Sequence, residues 1–480
     1  MSTISMNSLK SSLLKLECHF TWTLLKQDVD LHHLEETTGD QIEFFAESNI
    51  TNYNLLSYVC HLKDSNEEAL RNLQKAEEAA QKNPSDEMDW RILVTWGNYA
   101  WIYYHMKRYE EAQAYVSKVE NSCKKLSSAA QGKIRLPEIW AEQGWALLKF
   151  GEKYYPRAKD CFETALREEP DNPRFNAGYA IVMYRLEVFS HRRCEDISPA
   201  LQPLKRAMEL NPENTFIMVL LGLKLQELKK VEAGERYIEE AMQINPDLPY
   251  VQRYAAKFYR RKGEMDKALE ILKKALAVIP RSAFLHHQMG LCYAGKLSQL
   301  KRSTKYPPRE QVQELIRLAI FHIKIAIDEK TNFFSAHMDL ANMYAQGNRY
   351  REAEETFQKA FNISILSYDD KQAYYYHYGN FQRFQRKSES EAIRYYLEGL
   401  KIEKESYGRY MCRNALTKML EWRIQRGLAD ATDFGTLGLV HKLSGEHRKA
   451  IECYEEALAL CPHNEEYLSA LCELRLSISS

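Results

Sequence analysis

The sequence predicts an all-α fold, a superhelical solenoid of paired helices, and three observations carry that prediction. Small residues recur with a 34-residue period. Residues that break helices are scarce, with 19 Gly and 14 Pro in 480 residues, while Tyr (30) is plentiful and 45% of side chains are hydrophobic. That balance suits long helices with aromatic packing better than a turn-rich sheet protein. Between the small residues, large apolar ones fall at helical spacing, which leaves one core stripe on each helix.

Taken in chain order, residues 1–49 do not fit the period and are expected to form helices that pack across the first repeats. Their start, Met1 to Trp22, is amphipathic and carries Lys10, Lys15 and Glu17. It has no signal-peptide core, and no stretch of the chain approaches the ~20 apolar residues of a membrane span. Residues 50–246 hold the N-terminal repeats. Ala69 and Ala76, then Ala100 and Ala112, then Ala146, Ala158, Ala165 and Pro170 occupy equivalent slots, followed by Gly222, Gly234, Ala241 and Pro246. Residues 247–333 are a central basic block, with Ala256, Ala268, Ala275 and Pro280 in the same slots and then Gly290. Residues 334–480 repeat the pattern with Ala341, Ala353 and Ala360, and again with Gly438, Ala450, Ala457 and Pro462. The period and the signature are those of tetratricopeptide repeats, roughly nine or ten of them.

The slots have physical causes. Positions 8 and 20 of a unit are where its two helices cross, and only a small side chain permits the approach. Position 27 packs on the next unit, and Pro at 32 ends the second helix because it lacks an N–H and clashes with the preceding turn. Tyr259 and Tyr293 at position 11, with Ile238, Leu272, Phe357 and Tyr454 at position 24, are expected core. Two units are stretched, by eight residues between Ala180 and Ala200 and by seventeen between Gly290 and Ala319. Such insertions either lengthen helices or make loops that bend the superhelix. The ten cysteines are scattered without a Cys-x-x-Cys pair, as expected of reduced apolar fillers in a cytoplasmic protein.

The chain is neutral overall, with 66 basic and 66 acidic residues, yet the charge is segregated. From Pro249 to Arg309 fourteen Lys/Arg face three acids, Glu264, Asp266 and Glu270, a balance of +11. From Gln27 to Ser48 the balance is −7, and from Tyr378 to Arg426 eleven cations face six acids. First-helix positions 2, 5, 9 and 12 line the concave side of such repeats. In the unit from Pro249 these are Tyr250, Arg253, Lys257 and Arg260, spaced to share one helical face. The next unit adds Phe284 and His287 with Gln288 beside them, and the unit from Pro173 adds Arg174, Tyr184 and Arg185. Cations interleaved with rings fit single-stranded nucleic acid, since guanidinium groups fork onto phosphates and bases stack on rings. The competing reading is a solvated face with i,i+4 partners, which suits the convex-side Lys267, Lys273 and Lys274 better than Arg253, Lys257 and Arg260. Lys149 takes position 11, where Tyr259 and Tyr293 supply rings. It either snorkels out or points into a polar cavity with an anionic ligand, the second being favoured.

Several long stretches resemble a known family. Cys18-His-Phe-Thr-Trp22, Asp40-Gln-Ile-Glu-Phe44, Val94 to Trp101, Gly144-Trp-Ala-Leu-Leu-Lys149, Tyr254 to Lys262 and Leu285-His-His-Gln-Met-Gly290 look like the interferon-induced proteins with tetratricopeptide repeats, over essentially the whole chain. The opening Leu13 to Phe20 and the ending Leu471 to Ile478 are closest to a single member of that family. The resemblance implies an antiviral effector in the cytoplasm, with three helical subdomains around a central basic groove or tunnel that accepts the 5′ end of single-stranded RNA bearing a triphosphate or an incompletely methylated cap. It implies that Thr37, Gln41, Lys149, Arg185, Tyr250, Arg253, Tyr254, Lys257 and Arg260 hold the 5′ phosphates, and that Trp145, Tyr155, His287, Gln288 and Phe333 contact nucleotides, Trp145 standing where cap-binding relatives stack a cap base. Other family members and innate-signalling proteins are implied as partners, and neither a DNA duplex nor a membrane is. No cofactor is expected. His33 stands where a relative has an acid able to hold a phosphate-associated Mg2+ or Na+, which puts metal assistance in doubt. Asn380 and Ser335 depart from an expected basic residue and a second phenylalanine.

No enzyme motif is present: the chain has no Gly-rich phosphate loop, no His-Glu-x-x-His, no Gly-x-Ser-x-Gly and no metal-ligand cysteine spacing. The alternative function is a repeat adaptor that binds protein partners without RNA. RNA held through its phosphates responds to salt and to the 5′ group, whereas a peptide does not.

Overall fold

In the computed structural model the 34-residue period becomes antiparallel helix pairs. The structure describes residues 3–31, 34–35, 38, 49–81, 90–129, 136–190, 198–363 and 366–479, and among these there is no strand. It divides into two compact units, Met1–Phe258 and Tyr259–Ser480.

The first unit pairs Asn49–Leu62 with Asn66–Gln81, Ile92–His105 with Tyr109–Ala129, Pro137–Lys149 with Tyr155–Glu168, Pro173–Ser190 with Leu201–Leu210, and Thr215–Glu227 with Val231–Ile244. The small-residue slots are where the backbones meet. A Cβ on Gly234 would stand 2.5 Å from the Gly222 carbonyl oxygen, and one on Gly222 would stand 2.9 Å from that of Gly234. Tyr155–Glu168 and Val231–Ile244 both stop just ahead of their prolines, Pro170 and Pro246. The turn inside a pair needs one residue in the left-handed region, filled by Asp64, Lys107 and Lys229 at φ near +61°.

Before Asn49 the described residues include helix: residues 31, 34, 35 and 38 are helical, while 32, 33, 36, 37 and 39–48 lie outside the described residues. Thr3–Leu13 is a helix, Lys26–Asp28 is one 3-10 turn, and the chain between them is turn and coil. They do pack across the first repeats. Leu9, Leu13 and Trp22 are buried, the Trp101 indole N–H donates to the Leu13 carbonyl at 3.2 Å, and the His19 N–H donates to Asn98 Oδ1 at 3.2 Å.

In the second unit the seventeen extra residues lengthen both helices of one pair to 21 residues, Ala283–Ser303 and Arg309–Glu329, rather than forming a long loop. Pro307 and Pro308 fix the break between them, where a helix cannot continue. Phe334–Gln346 with Tyr350–Phe361, Tyr368–Phe384 with Glu389–Lys401, and Ala431–Leu443 with His447–Leu460 continue the stack, with Tyr407–Gln425 and Glu465–Ser479 as additional helices. Tyr259, Leu272 and Phe357 are fully buried, as their slots require. The nine described cysteines are free thiols. Cys18, Cys60, Cys292 and Cys412 are the expected buried fillers, but Cys461, which caps the end of the His447–Leu460 helix, and Cys472, on the Glu465–Ser479 helix, are exposed. Among the described residues no helix is long and apolar enough to cross a membrane.

Candidate nucleic-acid interface

In the first unit the inner helices enclose a polar cluster around Lys149. The Lys149 ammonium donates to Asn52 Oδ1, so this lysine turns inward rather than snorkelling out. Burial pushes it down to about 7; Glu142 opposes that shift, while Arg185 and Arg174 add to it. Glu142, fully buried, accepts from Thr51 Oγ1 at 2.7 Å and pairs with the Arg174 guanidinium at 3.0 Å. Arg185 Nη1 donates to the Leu148 carbonyl at 3.0 Å, at the C-terminal end of the Pro137–Lys149 helix where the dipole favours a cation. The same guanidinium lies 5.6 Å from the Tyr155 ring centroid. Among the described residues, Lys149, Arg174 and Arg185 thus gather around the Glu142 carboxylate. A buried excess of positive charge is costly unless an anion completes it.

A second group lies further along that unit. Tyr250 Oη bonds to Thr215 Oγ1, and the Phe216 ring stands 5.4 Å from Tyr250 and 5.9 Å from Tyr254. The Arg253 guanidinium rests over Tyr254 at 4.8 Å and donates to its hydroxyl at 3.1 Å. Lys257 is half-buried on the same helix. Lys224 ties this region to the Arg185 helix, pairing with Glu187 at 3.2 Å and Glu227 at 2.7 Å beneath the Tyr184 ring.

The second unit holds the other predicted residues. Arg260 is largely buried, burial works against its charge, and its Nε is enclosed without an acceptor. A guanidinium keeps its proton in a protein, so this group calls for an anion. His287 Nε2 and Asp339 Oδ2 are 2.7 Å apart, and the imidazole meets the Phe333 ring edge-on at 4.7 Å. Phe284 joins Phe333 at 5.1 Å, and the Lys330 ammonium sits over both rings. The Gln288 side-chain oxygen is buried and unpaired. His286 turns the other way, to His322 at 3.0 Å, so the adjacent histidines do not act together.

Other expectations fare variously. Trp145 packs edge-on against Phe162 at 5.3 Å and leaves its indole N–H without an acceptor. Lys274 has the i,i+4 partner of a solvated face, Glu270 at 3.1 Å, but Lys267 instead caps the Tyr259 ring at 3.8 Å. Thr37, Gln41 and His33 lie outside the described residues. Among the described residues no group of three or more His, Cys, Asp or Glu is placed to hold a metal ion. Asn52, Thr51, Glu142, Lys330 and Asp339 were not legible as site residues. Periodicity marks them only as helix positions, and their relevance comes from the partners folding gives them.

Residues 93–123, 255–283, 334–364 and 432–464 match the tetratricopeptide repeat family. The chain is 48% identical to human protein IFIT1 homolog B (94% of this chain, 96% of that one) and 47% identical to the human antiviral innate immune response effector IFIT1 (95% and 96%). It is 41% identical to human interferon-induced protein with tetratricopeptide repeats 2 (95% and 97%). Solved structures of the human IFIT1 dimer with PPP-AAAA and with m7Gppp-AAAA align with TM-scores of 0.81 and 0.83, at 46% and 47% identity, over 94% of this chain and 99% of each of those chains. The likeness of both chain ends to the member numbered five is a finer assignment than these relatives, numbered one and two, address.

Proposed function

Because the chain belongs to the family of interferon-induced proteins with tetratricopeptide repeats, we propose that it binds the 5′ end of single-stranded RNA, triphosphorylated or capped, as an antiviral effector that sequesters such strands from translation. The observation that carries the reading is the Lys149 cluster, in which, among the described residues, Arg174 and Arg185 stand near an inward-turned lysine beside the Glu142 carboxylate. A chain of phosphates fits this concentration of positive charge and accepts forked hydrogen bonds from both guanidiniums. Arg253 and Lys257 add phosphate contacts in the first unit, and Arg260 offers a guanidinium of the same kind in the second. His287, Gln288 and Phe333 meet the first nucleotides, with rings to stack on and a buried amide oxygen to satisfy. Tyr155 and Trp145 complete the base contacts.

The role is binding, without a catalysed reaction. In this reading side chains meet the phosphate charge. We place the protein in the cytoplasm, where reduced thiols persist and viral messages are translated.

The test is a gel-shift series on one RNA carrying 5′-hydroxyl, monophosphate, triphosphate and cap ends, repeated at rising salt. Tight binding of the triphosphate or capped strand, with loss on the 5′-hydroxyl and a steep salt slope, is the expected result. Equal affinity for all four ends would overturn the phosphate reading and favour a protein adaptor.

A further inference from the structure

The second unit contains a cavity that shares Asp339 with the contacts above. It holds about 290 Å3 and is lined by Asp339, Asn342, Asn380, Phe381, Phe384 and Gln385 over an apolar floor that includes Ile323. A cleft for a drug-sized ligand runs roughly 300–1,000 Å3, so this one suits a single flat ring system. Among the described residues the walls carry no cation, Arg383 standing only at the rim, and Asp339 repels anions, so the interior favours a neutral group over a phosphate.

Its polar atoms are oriented by neighbours. The Tyr396 hydroxyl donates to Asn380 Oδ1 at 2.9 Å, which turns the Asn380 amide N–H donors away from Tyr396. Asn342 Nδ2 lies 3.4 Å from His377 Nδ1, which leaves the Asn342 carbonyl oxygen as an acceptor. Asp339 engages His287 through Oδ2 and keeps its other carboxylate oxygen as a second acceptor. Two acceptors and an amide donor on neighbouring helices match a base edge that carries an exocyclic amine beside a ring nitrogen. At the rim Phe384 is 52% exposed, and the Arg383 guanidinium stands 5.0 Å from its ring centroid. An exposed phenylalanine polarised by a guanidinium is a stacking platform.

We propose that this cavity is a nucleobase subsite, taking an amino-bearing base (adenine or cytosine) of the single strand downstream of the nucleotides that meet His287 and Phe333. The proposal rests on the 5′-end reading, since the shared Asp339–His287 pair makes the cavity a continuation of that contact surface. Phe384 stacks the base, and Asp339 with Asn342 accepts from its amine while Asn380 donates to its ring nitrogen.

The experiment uses the full chain and 5′-triphosphate strands in which a single abasic nucleotide is walked along the sequence. One internal position is expected to lose about 5- to 150-fold in affinity, the range of one stacked base. Phe384→Ala, a change at an exposed side chain, should flatten the penalty at that position alone. At that position adenine or cytosine should bind more tightly than uracil, and Asn342→Leu should erase the difference while circular dichroism and melting stay those of the parent. If triphosphate-dependent binding is intact but no position responds to Phe384→Ala, the subsite is wrong. Equal binding of uracil there overturns the base assignment. If no strand binds through its 5′ group, it is the phosphate reading that fails, which the 5′-hydroxyl control reveals separately.

Discussion

Raising the pH from 7 to 9 is expected to weaken binding of a 5′-triphosphate strand about 50-fold, through the single proton on Lys149. The structure places that ammonium against Asn52, Glu142, Arg174 and Arg185, and burial brings it down to about 7 from the usual 10.5. The strand needs the charged form, whose share falls from about one half at pH 7 to about one hundredth at pH 9. The terminal phosphate titrates near pH 6, below this window, so the slope belongs to the protein. Without ligand, the unfolded chain holds this proton up to about 10.5 while the folded one releases it near 7. Stability of the free protein therefore rises with pH across that interval, by roughly 5 kcal/mol at most, and the full penalty is present below pH 7. Anisotropy at constant ionic strength gives the affinities. Calorimetry in two buffers of different ionisation enthalpy counts the proton taken up, about 0.5 per strand at pH 7 and about 0.9 at pH 8. Lys149→Met should bind weakly with no pH slope in this range. A wild-type affinity unchanged between pH 7 and 9, with no proton uptake, would refute the reasoning.

Three further outcomes are expected. Arg253→Glu should abolish triphosphate-strand binding while helicity and melting remain those of the parent, because the side chain rests on the Tyr254 surface rather than in the core; wild-type affinity in a folded Arg253→Glu protein would remove this residue from the phosphate contacts. Gly234→Ala should destabilise the chain by about 1–3 kcal/mol in denaturant titration, since the new methyl meets the Gly222 carbonyl, a backbone atom that cannot rotate aside. Lys229→Gly should raise stability by up to about 1 kcal/mol, because the turn before Val231 holds this residue at φ +61°; a lower midpoint would show that the lysine stem contributes more than the strain costs.

The sequence by itself determined the repeat architecture, because the small residues at positions 8 and 20 are a steric demand that any helix crossing makes wherever it occurs. Gly222, Gly234, Ala256 and Ala268 could be read off as crossing points without coordinates. It also marked Arg253, Arg260, His287 and Lys149, since register alone assigns a helix face and Lys149 stands in a slot that calls for a ring. What register cannot assign is a partner across helices far apart in sequence. The Glu142–Thr51 and Lys149–Asn52 contacts join residues 91 and 97 apart, and Asp339 reaches His287 across 52. Only packing decided which way Lys149 turns, that the exposed Lys267 caps the Tyr259 ring, and that the insertion after Gly290 lengthens two helices. Each of these depends on how much burial and charge neighbouring helices bring to the same point, and that is a property of the folded chain rather than of any local segment.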